Sequence, residues 1–523
     1  MSFITPEGLK FISNFSASFA KENNLKTDND KTISSAFIYE KLRVAVEYQE
    51  EHLILKNTIG RIIRRKYALS PSINANQLFS DLISELAWAN YINPEVLKEQ
   101  DTKSITSIID RYLILLKYAK TGRFARHELN RTIIDWLACE IDEFLRPDKS
   151  EKIIVDYTYN ILIKSLDLSD VRIDQTENEI QLKGAIYGFI LKPDYAQIQF
   201  WFLKHIYPDW QSWSDEEVKK MALSFDPYYN KIDHALNHPY RKNYIQFTKR
   251  LIPPFMLLYS VLKNEKIKIS DLEAKPSSLH DSIMAEYNIK VAQARDKVWR
   301  GTFRALIFIL LTKISLAFIL EIPFDRYISG TVDLVSLLIN ISLPPLLMLF
   351  AGTFVKSPSR RNYKTISDST INLLTRNQID NKKYTLIKGR SNAFLAFNII
   401  YLILSLAILS AVIWLLIYLR FNIVSIILFF FFVSVVSFFS FRIRNIALEL
   451  AMKRGRDDAL TSILELFFMP FVRIGKFFSD RFAYFNPMIL ALDFLIEAPL
   501  KIVIKIMNSW LRFINAKKEE LEL

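Results

Sequence analysis

The stretch that decides the fold runs from Ala393 to Phe441 and reads AFLAFNIIYLILSLAILSAVIWLLIYLRFNIVSIILFFFFVSVVSFFSF. Its only charged residue is Arg420. A single helix of this length would measure roughly 70 Å, about twice the thickness of the hydrocarbon core of a membrane. The stretch is therefore predicted to fold back at Arg420-Phe421-Asn422 into a hairpin of two spanning helices, 393–419 and 423–441.

Two further apolar stretches precede this hairpin and are predicted to span as well. Residues 334–354 contain Pro344-Pro345, a pair that predicts a kinked or broken helix within the membrane. Residues 302–320 carry Lys313 near their middle, where a lysine costs roughly 2.5–3.5 kcal/mol on insertion scales. The surrounding Leu, Ile and Phe residues offset that cost, so we expect a first span here.

The loops between these stretches predict how the chain is oriented, because cytosolic loops carry an excess of Lys and Arg. Residues 356–390 hold nine Lys or Arg and two Asp, and a second basic group begins at Arg442. The connector 321–330 and the turn at Arg420 carry one Lys or Arg each. These assignments predict a multi-pass protein of the cell membrane, with a four-helix transmembrane region over 301–445 and both termini in the cytosol.

The residues before the first span are predicted to be mostly helical, which makes the whole chain all-α. Apolar residues recur at helical spacing in 32–66, and Ser214-Asp-Glu-Glu217 is typical of a helix start. Residues 171–189 alternate loosely and predict a small hairpin of strands. A boundary near residue 165 would separate a helical region, 1–165, from a second mostly helical region, 166–300.

Composition narrows the classes of function. The net charge is +13 and the mean hydropathy is +0.12, with only 11 Gly and one Cys in the chain. A single thiol, Cys139, excludes an intrachain disulfide and a thiolate metal cluster. Much of the positive charge lies beside the apolar stretches, which favours anionic lipids over nucleic acid as the partner. No motif for a cofactor is present, and none is expected to bind.

The C-terminal residues 446–523 are predicted to form an amphipathic helical tail. Charged residues recur every four positions and would line one face of a helix: Asp493, Glu497, Lys501 and Lys505. Such a helix suits the plane of the membrane interface. Three basic residues precede this stripe and are expected to meet anionic headgroups: Arg473, Lys476 and Arg481. The alternative is a helix packed on the N-terminal half or on a second copy of the chain.

His234 and His238 are weak candidates for a metal site. Two histidines four residues apart share one helix face and can bind zinc together. A catalytic zinc site of this kind needs a glutamate after the first histidine, where the chain has Ala235, and Pro239 interrupts the helix. A surface or packing role is the favoured interpretation, and no metal site is assigned.

Lys313 and Asn340 are the candidate intramembrane polar residues. Ionisable groups inside a spanning helix are costly and often functional. Together with Asp333 and Pro344-Pro345 they would line a polar pathway. The simpler interpretation is that Lys313 extends to the interface or bonds a neighbouring helix for structural reasons.

Three functions follow from these features. The leading hypothesis is a membrane-anchored interaction or scaffold protein, whose helical N-terminal half binds a cytosolic protein. The second is a transporter or channel subunit that works as a homo-oligomer. The third is a metal-dependent enzyme in the N-terminal half, although no catalytic motif supports it.

Overall fold

The computed structural model describes residues 4–22, 51–89, 91–147, 149–168, 173–264, 276–324, 326–327, 334–353, 360–379, 383–386, 392–448, 450–452, 459–484 and 510. Within these ranges the chain is helical almost throughout. The strands among them are β1 (Leu166–Asp167) and β2 (Tyr384–Thr385), which pair in parallel with Leu166 opposite Tyr384. The prediction of an all-α protein is therefore confirmed.

The chain divides into two compact units. The N-terminal unit comprises Met1–Leu279, Ser369–Lys388 and Lys501–Leu523, and the apolar unit comprises His280–Asp368 and Gly389–Leu500. The helices of the N-terminal unit are α1 (Pro6–Glu22), α2 (Ile54–Leu69), α3 (Ala75–Trp88), α4 (Glu99–Tyr118), α5 (Arg126–Leu145), α6 (Lys149–Leu162), α7 (Gln175–Ile190), α8 (Tyr195–Ile206), α9 (Asp215–Leu223), α10 (Phe225–Leu236), α11 (Arg241–Leu251) and α12 (Pro253–Lys263).

The core of the N-terminal unit surrounds a buried carboxylate on α5. Glu140 accepts hydrogen bonds from Arg111 (3.0 Å), Tyr112 (2.8 Å) and Trp210 (3.0 Å). A buried charge needs such partners because water is excluded. The predicted start of α9 is also confirmed, since Ser214 caps the helix and Glu217 returns a bond to the backbone of Ser214. The predicted helix over 32–66 is described only from residue 51 onward.

The region 171–189, predicted as a small hairpin of strands, is instead helical from Gln175. Asp174 caps α7 by accepting a hydrogen bond from the backbone N–H of Thr176. Leu182, Ile186 and Ile190 then fall on one buried face at intervals of four residues. The loose alternation was misleading because this apolar set fits a helical period better than a period of two.

The segment 369–388 completes the N-terminal unit although it comes late in the chain. The backbone N–H and the hydroxyl of Thr5 both donate to the carbonyl of Leu374, each at 2.9 Å. The hydroxyl of Tyr157 donates to the carbonyl of Leu373 at 2.8 Å. The β1–β2 pair adds a third connection, so the first and the later segment fold as one body.

The apolar unit contains the long apolar helices. They are α13 (Pro276–Leu316), α14 (Leu334–Thr353), α15 (Arg360–Arg376), α16 (Asn392–Tyr418), α17 (Ile423–Ala447) and α18 (Ala459–Tyr484). The first four residues of α13 and the part of α15 from Ser369 onward belong to the N-terminal unit. Helix α13 has 41 residues, or about 60 Å, so it extends well beyond the thickness of a hydrocarbon core. Its polar first half and apolar second half form one helix.

Three helices, rather than four, are long and apolar enough to cross a membrane among the described residues. These stretches are Ser278–Phe324, Ala396–Tyr418 and Ile423–Asn445. The predicted span 334–354 is helical from Leu334 to Thr353, but its described apolar stretch is the shorter Leu337–Phe350. The helix continues through Pro344-Pro345, so the predicted break is not observed.

A polar junction joins α13, α15 and the chain after α17 in the apolar unit. The side chain of Asn362, on α15, donates to the carbonyl of Leu450 at 2.8 Å and accepts from the N–H of Met452 at 2.9 Å. The ring of Tyr287, on α13, lies 5.1 Å from that of Tyr363. One asparagine thereby holds the chain after α17 against α15, next to the polar half of α13.

Candidate intramembrane polar site

A charged pair lies fully buried among the apolar helices. The ammonium of Lys313 donates to Oε1 of Glu321 at 2.7 Å, and the amide of Asn340 donates to the same oxygen at 2.9 Å. None of the three side chains has exposed surface. The amide of Asn340 also lies 3.4 Å from the carbonyl oxygen of Ser425 on α17. The site therefore joins α13, α14 and α17.

A π-helical turn brings the two charges together. Helix α13 ends at Leu316, and Ala317–Glu321 form the π turn. In a regular helix, residues eight apart would point about 80° away from one another. The wider π turn takes up one additional residue, which reduces that offset to about 20°. Glu321 therefore lies on the same side as Lys313 and reaches its ammonium.

The wall of the site is apolar. The buried side chains of Ile309, Met348 and Phe432 come from α13, α14 and α17 and belong to one cluster. The ring of Phe432 lies beside the lysine, with Nζ of Lys313 5.1 Å from the ring centroid. Such surroundings exclude water, so the three polar side chains must satisfy one another.

Two acceptor atoms of the site are left without a donor. Oε2 of Glu321 and Oδ1 of Asn340 are buried, and neither has a hydrogen-bond partner among the described residues. A buried acceptor without a donor costs about 1–3 kcal/mol, so the site favours a species that brings a hydrogen-bond donor.

The structure brings together two of the residues singled out in the sequence and adds a third that the sequence analysis missed. Lys313 and Asn340 meet through Glu321, which we had placed in an outer connector. Glu321 is instead fully buried. The available signal is a glutamate eight residues after a mid-span lysine. This spacing indicates a pair only when the π turn is known. Asp333, the other proposed member, lies outside the described residues.

The two candidate metal-binding histidines, His234 and His238, occupy different environments. His234 is exposed on α10, whereas His238 follows the end of the helix and is buried beside Glu177, 3.2 Å from Oε1. Burial lowers the pKa of His238, while Glu177 opposes that effect. Among the described residues no group of three or more His, Cys, Asp or Glu is placed to hold a metal ion.

The predicted membrane-surface residues lie on α18, which packs against α17. Phe471 is buried and stacks on Phe430, with ring centroids 5.8 Å apart. Arg473 lies over the ring of Tyr401 on α16, 4.2 Å from its centroid. Lys476 is exposed, and Arg481 lies within the described helix. This part of the tail therefore packs on membrane helices, and the charged stripe 493–505 lies outside the described residues.

A close backbone approach fixes α18 on α17. A Cβ atom added at Gly475 would lie 2.1 Å from the carbonyl oxygen of Ser434 and 2.8 Å from Cβ of Phe438. Small residues permit such contacts between membrane helices, where packing replaces the hydrophobic effect as the source of association. The contact falls near the middle of both helices.

Comparison of the chain with family models, with curated proteins and with solved structures finds no match. The function must therefore be inferred from the chemistry of the chain itself.

We predict that the Lys313→Met variant is less stable than the double variant Lys313→Met with Glu321→Gln. The single change leaves Glu321 without its principal donor and should cost about 1–3 kcal/mol. Replacing both partners removes the buried carboxylate that lacks a donor, so the double variant should recover most of the lost stability. Thermal unfolding of the full chain in detergent measures the difference.

The matched control for this comparison is Lys103→Met. Lys103 pairs with Glu99 on the exposed face of α4, where an ion pair contributes little. The control should unfold like the unchanged protein. If the stability losses of Lys313→Met and of Glu321→Gln simply added in the double variant, the two residues would not be coupled and the prediction would be wrong.

We also predict that Gly475→Ala destabilises the protein, because the new methyl group would overlap the backbone of α17. Gly188→Ala on α7 is the matched control, since no heavy atom lies within 4 Å of a Cβ atom added at Gly188. Alanine is favoured over glycine in a helix by about 1 kcal/mol, so the control should raise the melting temperature. Equal shifts for both variants would show that α18 does not pack closely on α17.

Proposed function

We propose that this is a membrane-anchored interaction protein, in which a helical cytosolic unit is held at the cell membrane by a four-crossing bundle. The observation that carries the proposal is the composite N-terminal unit. It includes both Met1–Leu279 and Ser369–Lys388, two segments that flank the first pair of apolar helices. A single terminal helix would suffice for attachment to a membrane. In this chain, the apolar segment instead lies between two parts of the N-terminal unit.

The same observation supports four crossings. A chain that leaves a unit at Leu279 and returns to it at Ser369 crosses a membrane an even number of times. Because α13 has the length and hydropathy to cross, the proposal has α14 cross with it. Helix α14 has 20 residues, or about 30 Å, which matches the hydrocarbon thickness. The α16–α17 pair adds two further crossings.

The potentially reactive side chains of the N-terminal unit are engaged in its packing, which supports binding rather than catalysis. Glu140 is bonded to three core side chains, and His238 is paired with Glu177. Cys139 is buried, and burial raises the pKa of its thiol, which disfavours the reactive thiolate. The groups with potential chemistry are thus part of the packing, and the exterior of the unit is what faces the cytosol in this proposal.

Labelling of single cysteines tests the topology. We would compare Ser212→Cys, Tyr327→Cys and Trp510→Cys in a Cys139→Ala background. All three positions are exposed, so access to the reagent depends on the side of the membrane. An impermeant maleimide added to intact cells should label the Tyr327→Cys variant alone, because both termini are proposed to be cytosolic.

Permeabilised cells provide the control, since all three variants should then be labelled. Labelling of Ser212→Cys in intact cells would contradict a cytosolic N-terminal unit. Labelling of Trp510→Cys in intact cells would mean that α18 crosses the membrane and that the C-terminus lies outside.

Photo-crosslinking of the full chain in cells tests the interaction. A photoreactive residue would replace Leu69 or Tyr195, whose side chains are 78% and 64% exposed on the N-terminal unit. We expect discrete protein adducts from these positions. The matched control is Ile403 on α16, which is 63% exposed and faces lipid in this proposal. Adducts restricted to the control position, or none at the two test positions, would argue against a cytosolic partner.

A further inference from the structure

The intramembrane polar site has more acceptors than donors when both charged residues are ionised. Lys313 and Asn340 donate to Oε1 of Glu321. Oε2 of Glu321 and Oδ1 of Asn340 then remain as buried acceptors with no donor among the described residues. An ionised carboxylate accepts only, so this arrangement cannot correct itself without a proton or another donor.

We propose that Lys313, Glu321 and Asn340 form a proton-transfer site in which the carboxyl of Glu321 holds the proton that Lys313 gives up. The proton leaves the ammonium of Lys313, the N–H bonding electrons remain on nitrogen, and an O–H bond forms at Oε2 of Glu321. The total charge of the pair stays at zero. Oε2 becomes a donor, and Oδ1 of Asn340 is the unsatisfied acceptor that it serves.

The surroundings favour the uncharged form. Lys313 is the one charged group in contact with Glu321 among the described residues. The other neighbours are Asn340 on α14, and the carbonyl of Ser425 and the ring of Phe432 on α17. Two full charges in such a setting lose their hydration, and their attraction often fails to repay that loss. A neutral acid beside a neutral amine avoids the loss and keeps the existing hydrogen bonds to Oε1.

The donor set fits a proton better than a metal cation. Calcium takes six to eight oxygen ligands and magnesium requires a near-octahedral set. The site offers two unsatisfied side-chain oxygens, Oε2 of Glu321 and Oδ1 of Asn340, beside an amine that already occupies Oε1. A single donor hydrogen, by contrast, is the smallest addition that serves these acceptors. A buried water is the other species that would serve them.

Infrared spectroscopy of the full chain in lipid nanodiscs distinguishes these states at neutral pH. A protonated carboxyl group has a C=O stretch that is separate from the bands of carboxylates. The difference spectrum between the unchanged protein and Glu321→Gln should contain this acid band. In Asn340→Leu the band should persist and move to higher frequency, because the acid loses its acceptor. A shift of this kind does not arise from a merely structural role.

The controls separate a proton site from a misfolded variant. Glu140→Gln changes a buried carboxylate of the N-terminal unit and should not remove the same band. The melting temperature of Glu321→Gln, measured on the same samples, shows whether the variant is folded. An acid band that is lost in Glu321→Gln and shifted in Asn340→Leu supports the proposal. Carboxylate bands alone in the Glu321→Gln difference spectrum would overturn it and assign the open acceptors to water. This test is independent of the topology and of any cytosolic partner.

Discussion

The arrangement of the apolar unit depends on one constraint, which is that Glu321 has no access to water. A carboxyl group among apolar side chains must find its partners within the protein. The π turn after α13 aligns it with Lys313, and Asn340 extends the hydrogen bonds to α14. The carbonyl of Ser425 brings α17 to the same point. Three helices are therefore placed by the requirements of a single side chain.

The second constraint is the return of the chain to its own N-terminal unit. Thr5 and Tyr157 bond the backbone at Leu374 and Leu373, so this part of the unit forms only after the chain has passed through α13 and α14. Folding of this unit is thus linked to formation of the apolar helices α13 and α14. Contacts so distant in sequence carry a large loop-closure entropy, which ordering of the intervening helices would reduce.

Features that depend on local sequence were predictable, whereas features that depend on contacts between distant residues were not. The two helices over 393–441 were predictable because each residue adds independently to the apolar character of the stretch, and α16 and α17 match them. Glu321 was misplaced because its burial depends on a change of helical register and on two partners from other positions. The position of α18 was missed for a similar reason. Its charges resemble those of a surface helix, while the decisive contact is made by Gly475, which has no side chain.

The buried pair also bears on which function a bundle of this kind performs. An inert anchor needs apolar helices alone, and well-packed apolar residues in place of a buried ion pair are often neutral or stabilising. A lysine in the centre of a span is costly to insert. Its presence in α13, matched by Glu321 and Asn340, is thus poorly explained by stability. Since α13 continues beyond the apolar region to Pro276, a change of protonation at Glu321 would act on a helix that also has a long polar half.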